Sequence, residues 1–410
     1  MEQQLILSNE VLNLGASEMP PLPNYYGAGI SNVVPAIFSH LARNRGSLFG
    51  KSSSEIEELV YSVNPGIEPD LDSWFPKEAT EAGQIVLLVL DGLGFSQLTR
   101  FIDELPNLSM LSQSRISSVA PTTTATALTS ITTGATPAIH GLLGYRMCIG
   151  RNRVMNTLSW ACSTDASEKM PDPSEVQQLA PFLSFHPKVV TKAQHQNSGF
   201  TKAHLRETEI VNYRFPSTMI DHVSDLLHQG QAFVYAYYEG IDTVAHEYGL
   251  GSSYLEELRA VDYLVGRLIA SLPKGTSLLI TSDHGQVEVP GLPIKIDSRI
   301  LDSTKVLSGE GRFRWLHLKE GATRKVVELA SEIYQQQAWI LTRDQLIEGG
   351  YYGVPLENLN ERSRLGDVAF IAKSDIAFFD PVDTGPYNLV CRHGSLTHDE
   401  LDVPLLGYFV

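Results

Sequence analysis

Ile85 to Leu90 reads IVLLVL and runs straight into Asp91-Gly92-Leu93-Gly94. An uninterrupted apolar run with β-branched residues predicts a strand buried on both faces, as in the middle of a parallel sheet. Two further runs repeat the pattern: Ala232 to Tyr237 (AFVYAY) precedes Glu239-Gly240-Ile241-Asp242, and Ser277 to Thr281 (SLLIT) precedes Ser282-Asp283-His284-Gly285. Between them, Tyr254 to Ser271 carries leucines and valines at helical spacing. Strands alternating with helices predict an α/β fold: a doubly wound, mostly parallel central sheet with helices on both faces. Ligands of such sheets bind beyond the carboxyl ends of the strands, where these polar words fall.

The 410 residues, 43% of them hydrophobic, suffice for one large domain spanning 1–410 with insertions. Two stretches depart from the core pattern, and one or both are expected to form a cap over the site. Residues 151–228 are polar and rich in Pro and Asn, and read as a cap. Residues 309–380 read as a small α/β insertion, with RFRWLHL as a strand, ATRKVVELASEIYQQQ as a helix and AWILT as a strand, followed by GDVAFIAK. A net charge of −16 argues against a nucleic-acid polymer or an anionic membrane as partner. A small anionic substrate then needs a local positive centre, which bound metal supplies. Three unclustered cysteines, Cys148, Cys162 and Cys391, fit a reducing compartment. The N-terminal MEQQLILSNEVLNLG has no basic-then-apolar export pattern, so the expectation is a cytoplasmic protein with no membrane span.

Seven residues spread over about 300 positions form one chemical inventory: Asp91, Thr124, Asp242, His246, Asp283, His284 and His393. Carboxylates and imidazoles suit a pair of zinc-like divalent ions. Each has an ordinary alternative. Asp91-Gly92 reads equally as a turn. Thr124, in Pro121-Thr122-Thr123-Thr124, heads a helix and is either a nucleophile facing an anion or a simple cap. Asp242 and His246, spaced i and i+4, share one helix face and are either ligands or a surface hydrogen bond. Asp283 and His284 are adjacent, so joint use needs the bend that Gly285 allows. His393 lies in Arg392-His393-Gly394-Ser395-Leu396 with His398 as its rival, and His140 reads as structural.

Taken together these words resemble the alkaline phosphatase superfamily, and within it the type I phosphodiesterase/nucleotide pyrophosphatase family. The resemblance spans about residues 84–146, 232–290 and 388–408. It implies an alkaline-phosphatase-like fold and two divalent ions, Zn2+ or alternatively Mn2+. One ion is assigned to Asp91, Thr124, Asp283 and His284, the other to Asp242, His246 and His393. It further implies Thr124 as the nucleophile and a phosphothreonine intermediate. Two departures stand out. The family's asparagine three residues after the nucleophile is Ala127 here, and its lysine before the nucleophile is Thr123. A phosphate clamp must then come from backbone amides, Tyr145, Arg146 or the insertions. The sulfatase C/S-x-P-x-R word is missing.

The expected function is a two-metal hydrolase of phosphate esters, with phosphodiester or pyrophosphate bonds favoured and a small phosphorylated substrate. A phosphomonoesterase or phosphonate hydrolase on a specialised metabolite uses the same metal core. A non-catalytic, metal-stabilised binding protein is the reading from another class. It leaves Thr124 unexplained, and it normally closes its coordination with protein ligands.

Overall fold

A computed structural model describes residues 19–68, 73–150, 152–162, 169–354, 359–383 and 389–410. The N-terminal stretch read above for an export signal lies outside the described residues. Seven strands form the central sheet. Their spatial order is Ser112–Ser117, Asp402–Phe409, Thr276–Thr281, Gln84–Leu90, Phe233–Tyr238, Lys188–Lys192 and Glu209–Tyr213. Only Asp402–Phe409 runs against the others, pairing antiparallel with both neighbours. The sheet is therefore mostly parallel, as the apolar runs predict.

Gln84–Leu90 is the middle strand, and its side chains show why the run is continuously apolar. Ile85, Leu87 and Val89 enter one core, while Val86, Leu88 and Leu90 enter the core on the opposite face. The first core is closed by helix Val33–Arg45, through Ile37, Phe38 and Leu41, and by helix Thr124–Thr133, through Ala125, Leu128 and Ile131. The second is closed by helix Pro216–His228, through Met219 and Val223, and by helix Ser252–Ser271, through Leu258, Val261 and Leu268. Burying one such aliphatic side chain contributes roughly 1.5–3 kcal/mol, so helices on both faces are what the strand pattern requires. No helix among the described residues is long and apolar enough to cross a membrane.

The stretch expected as a cap, 151–228, divides in two. Val154–Asn156 pairs antiparallel with both Arg146–Cys148 and Ala161–Cys162 in a separate three-stranded sheet. Lys188–Lys192 and Glu209–Tyr213 instead join the central sheet in parallel register, and Pro216–His228 covers it. The second half is thus core rather than cap. Its strands, KVVTK and EIVNY, are the last two of the sheet, with EIVNY at the edge; the partly exposed ends of KVVTK and most of EIVNY carry polar residues that hide the strand pattern.

The insertion contains a four-stranded antiparallel sheet in the order Thr304–Glu310, Phe313–Leu318, Val368–Ala372 and Ala338–Thr342. Its first strand, TKVLSGE, starts before the expected boundary and is too polar to read as a strand alone; it is held by its hairpin with Phe313–Leu318. Helix Thr323–Tyr334 packs on one face through Val326, Val327 and Ala330. The other face contributes Phe313, Trp315, Ala369 and Ile371 to the first core, which ties the insertion to the main body.

Candidate active site

Parallel register explains why words far apart in sequence converge. Gln84–Leu90 lies between Phe233–Tyr238 and Thr276–Thr281, all pointing the same way, so their carboxyl ends meet on one edge. Asp91 follows the first strand, helix Gly240–Tyr248 with Asp242 and His246 follows the second, and Asp283-His284 follows the third. Gly92, with φ +75°, turns the chain there. The His393 word is brought in by Thr122. Gly394 donates its amide to Thr122 Oγ1 at 3.0 Å, Thr122 Oγ1 donates to the Ser395 carbonyl at 2.7 Å, and His393 Nδ1 donates to the Thr122 carbonyl at 2.8 Å. Thr122 thereby pins the His393 word beside Thr124.

The seven predicted residues come together as two overlapping groups. The ligand atoms of Asp91, Asp283 and His284 lie within 4.8 Å of one another, as do those of Asp242, His284 and His393. His284 Nε2 is 3.5 Å from Asp91 Oδ1 and 3.4 Å from Asp283 Oδ2, and the His284 and His393 rings stack at 3.6 Å. His246 Nε2 is 3.2 Å from Asp242 Oδ1, so His246 joins the second group through Asp242. The rival His398 is surface-exposed and bonded to Asp402, and His140 is buried against Ser130.

Thr124 is the first residue of its helix, with Thr123 as the cap residue, and no side chain caps this end. Its Oγ1 lies 3.2 Å from His284 Nε2. The first-turn amides of such a helix lack intrahelical acceptors and face an incoming anion. Ala127 is fully buried in the first core, so nothing at that position reaches the site.

The donor set fits divalent cations. All three imidazoles give their Nδ1 hydrogen to main-chain carbonyls: His246 to Cys391 at 2.7 Å, His284 to Gly285 at 3.1 Å and His393 to Thr122 at 2.8 Å. Each Nε2 lone pair is left facing carboxylate oxygens, an arrangement that repels unless a proton or metal ion lies between. Asp91 Oδ1 and Asp283 Oδ2 are buried with no hydrogen-bond partner. Burial and the neighbouring Asp283 and Asp242 carboxylates push Asp91 well above the usual carboxylate range, and burial raises Asp283. Burial opposes ionisation of Asp242 too, but His246, His393 and His284 outweigh it and hold that carboxyl low. Burial and then His284 drive His393 well below its ordinary value. Such a cluster lacks only positive charge.

Several supporting groups had no local signal in the sequence. Tyr237 donates its hydroxyl to Asp91 Oδ2, and Gln286 Nε2 donates to Asp242 Oδ1 at 2.7 Å. Glu310 reaches in from the insertion to 3.9 Å from His393, its carboxyl pushed well above the usual range by burial and by Glu400. Arg146, a candidate phosphate clamp, has its charge offset by Asp380 and Asp383, each 2.6 Å from Nη1, while its Nε and Nη2 are buried without a hydrogen-bond partner. Tyr145 remains on the wall, its hydroxyl accepting from Asn156 at 2.7 Å. The site opens into a cleft of about 810 Å³ between the three-stranded sheet and the insertion, lined by Thr124, Tyr145, Asp242, His246, Arg392 and His393 among others. That size suits a small ligand.

Residues 85–396 match the type I phosphodiesterase/nucleotide pyrophosphatase family, and the chain belongs to it. Membership makes it a phosphoric ester hydrolase and sets aside the non-catalytic binding reading. The family is a class of metallohydrolases, generally with two divalent ions. Among solved structures, murine ectonucleotide pyrophosphatase/phosphodiesterase 5 is 15% identical, with a TM-score of 0.58 over 79% of this chain and 87% of that one. An inactive variant of the same murine protein in complex with AMP gives 15% identity and a TM-score of 0.59 over the same shares. Phosphonoacetate hydrolase from Sinorhizobium meliloti 1021, in complex with phosphonoformate, is 17% identical, with a TM-score of 0.59 over 79% of this chain and 89% of that one. These likenesses show the shared fold. No curated protein sequence matches the chain significantly.

Proposed function

We propose that the chain hydrolyses phosphodiester or pyrophosphate bonds of a small phosphorylated substrate through a covalent phosphothreonine at Thr124. Asp91, Asp283 and His284 would hold one divalent ion with Thr124, and Asp242, His246 and His393 the other; zinc is favoured by the mixed nitrogen and oxygen donors. When bound, the ions supply the positive charge that lowers the hydroxyl pKa and offsets charge on the attacking and leaving oxygens. The observation that carries this reading is Thr124 Oγ1 at 3.2 Å from His284 Nε2, within the carboxylate–imidazole cluster.

Thr124 Oγ1 attacks phosphorus in line, the bond to the leaving oxygen breaks, and water then cleaves the phosphothreonine to regenerate the hydroxyl. The first-turn amides of helix Thr124–Thr133 hold the phosphoryl oxygens, with the Tyr145 hydroxyl as a further donor in place of the family's asparagine. Asp91, raised in pKa among its neighbours, stays in place through Tyr237, and Asp242 through Gln286. The three-stranded sheet and the insertion form the wall that selects the leaving group.

Ala127 favours a second reading, because a site without the asparagine clamp suits a monoester or a phosphonate equally well. Hydrolysis of bis-p-nitrophenyl phosphate and p-nitrophenyl phosphate by zinc-loaded protein, before and after chelation, separates the two. The proposal predicts chelator-sensitive diesterase activity. Preference for the monoester moves the assignment to phosphatase, and activity that survives full metal removal contradicts both.

A further inference from the structure

Four arginines stand in or behind the cleft walls, and three are neutralised. Arg146 pairs with Asp380 and Asp383 at 2.6 Å each, and Arg314 shares the same two carboxylates. Arg312 is gripped by Glu400 through two contacts of 2.8 Å. Arg392 is the exception. It lines the cleft next to His393, is partly buried, and makes no side-chain hydrogen bond or ion pair with any described residue. Asp383 and Glu310 attract it only at longer range, and Asp383 is already committed to two other guanidiniums.

A guanidinium that loses hydration without gaining a counter-ion is a cost to the fold, so its retention in a binding cleft points to a ligand anion. Two further features open the site to one. Gly311 lies against Arg392, and a Cβ there would sit 3.3 Å from Nη1, so the missing side chain leaves this side of the guanidinium clear. Lys295 lines the same cleft, is exposed, and makes no side-chain hydrogen bond or ion pair with any described residue. Arg392 also lies close enough to His246 for its charge to act on that imidazole, which puts it on the Asp242–His246 side of the site.

We propose that Arg392, assisted by Lys295, binds a second anionic group of the substrate, a carboxylate or phosphate carried beyond the scissile phosphorus. The preferred substrates are then small phosphoryl or phosphonyl compounds with two acidic groups. This inference rests on the phosphohydrolase reading above. It adds an anion-binding position that does not contact the reacting phosphoryl group. A planar guanidinium suits either anion, since both accept paired hydrogen bonds.

The test is calorimetric binding to zinc-loaded Thr124→Ala protein, which removes turnover from the readout. Propylphosphonate is compared with 3-phosphonopropionate, which adds a carboxylate, and with propane-1,3-diphosphonate, which adds a second phosphonate. The dianionic arm that matches the natural substrate is expected to bind at least roughly tenfold tighter than propylphosphonate. Adding Arg392→Ala is expected to bring that ratio to within about twofold of one, and Arg392→Lys, a gentler change, to retain part of it. The inference is overturned if neither dianionic arm gains over propylphosphonate. It is also overturned if Arg392→Ala or Arg392→Lys weakens all three ligands by one factor, since Arg392 would then hold the phosphoryl group itself. Loss of metal-dependent propylphosphonate binding altogether, with no chelator-sensitive hydrolysis by the wild type, is the separate signature of a failed phosphohydrolase reading, and this inference falls with it.

Discussion

Tyr237 and Asp91 are joined across adjacent parallel strands: the Tyr237 hydroxyl donates to Asp91 Oδ2, while Asp91 Oδ1 is left buried without a partner. One oxygen is thereby fixed and the other aimed at the cluster. Hydrogen bonds of this kind orient metal-binding carboxylates, and their loss typically costs about 10–100-fold in metal affinity or activity. Tyr237→Phe removes only the hydroxyl and keeps the ring. A chelator-competition titration is expected to show zinc affinity reduced roughly tenfold with the fold intact. Unchanged affinity would mean that Tyr237 does not orient Asp91.

The chain bends at Asp283, and Gly285 just after it lets the Asp283-His284 segment pass close to two other stretches of main chain. A Cβ there would sit 2.0 Å from the Asp399 carbonyl oxygen and 2.8 Å from the Gly94 Cα, both main-chain atoms that cannot swing aside. Gly285→Ala is expected to destabilise the protein by roughly 1–3 kcal/mol or more and to lower zinc content, read by urea denaturation and metal analysis. A variant of native stability would show that the loop between Gly94 and Asp399 has room to spare.

How much of this was legible beforehand depends on where each residue's partners lie. Strands buried on both faces, such as IVLLVL and SLLIT, declare themselves because every position must be apolar or small. The outer strands KVVTK and EIVNY and the hairpin strand TKVLSGE do not, since each owes its conformation to a neighbour rather than to its own composition. The words that carry the candidate ligands were legible because their residue types and local glycines are close in sequence. Tyr237 and Gln286 were not, because their roles exist only through contacts 146 and 44 residues away. Arg146 looked free for phosphate until folding brought Asp380 to it across 234 positions.

The Arg312–Glu400 pair locks the insertion to the turn that follows His393. Both side chains are fully buried, and Glu400 also accepts from the Ser395 amide at 2.9 Å and the Thr397 hydroxyl at 2.6 Å. Glu400→Gln leaves the guanidinium charge uncompensated, which costs about 3–5 kcal/mol for a buried pair. Thermal unfolding is expected at markedly lower temperature, together with weaker zinc retention as the His393 word loosens. A change under about 1 kcal/mol would contradict this account of the anchor, being what is typical of exposed pairs.

His317, buried in the insertion and bonded through Nε2 to Ser308 Oγ at 2.8 Å, is driven down by burial to about 4 from an ordinary 6.5. Above pH 6.5 neither folded nor unfolded chain protonates this ring. Between there and about pH 4 the unfolded chain takes up a proton that the folded one refuses, so stability falls as pH falls. The full contribution is roughly 3 kcal/mol. Urea midpoints at pH 7.5 and 4.5 are expected to converge for wild type and His317→Gln at the lower value, because the variant lacks this proton linkage. Parallel pH dependence in the two proteins would remove His317 from the account.

The most direct test of the central claim is hydrolysis of the p-nitrophenyl ester of thymidine monophosphate by zinc-loaded wild type and Thr124→Ala, with zinc content measured on both. The account predicts turnover that chelation abolishes in the wild type, a loss of at least ~10³-fold in Thr124→Ala, and at most a modest change in zinc content. Undiminished turnover in Thr124→Ala would contradict a threonine nucleophile and, with it, the proposed mechanism.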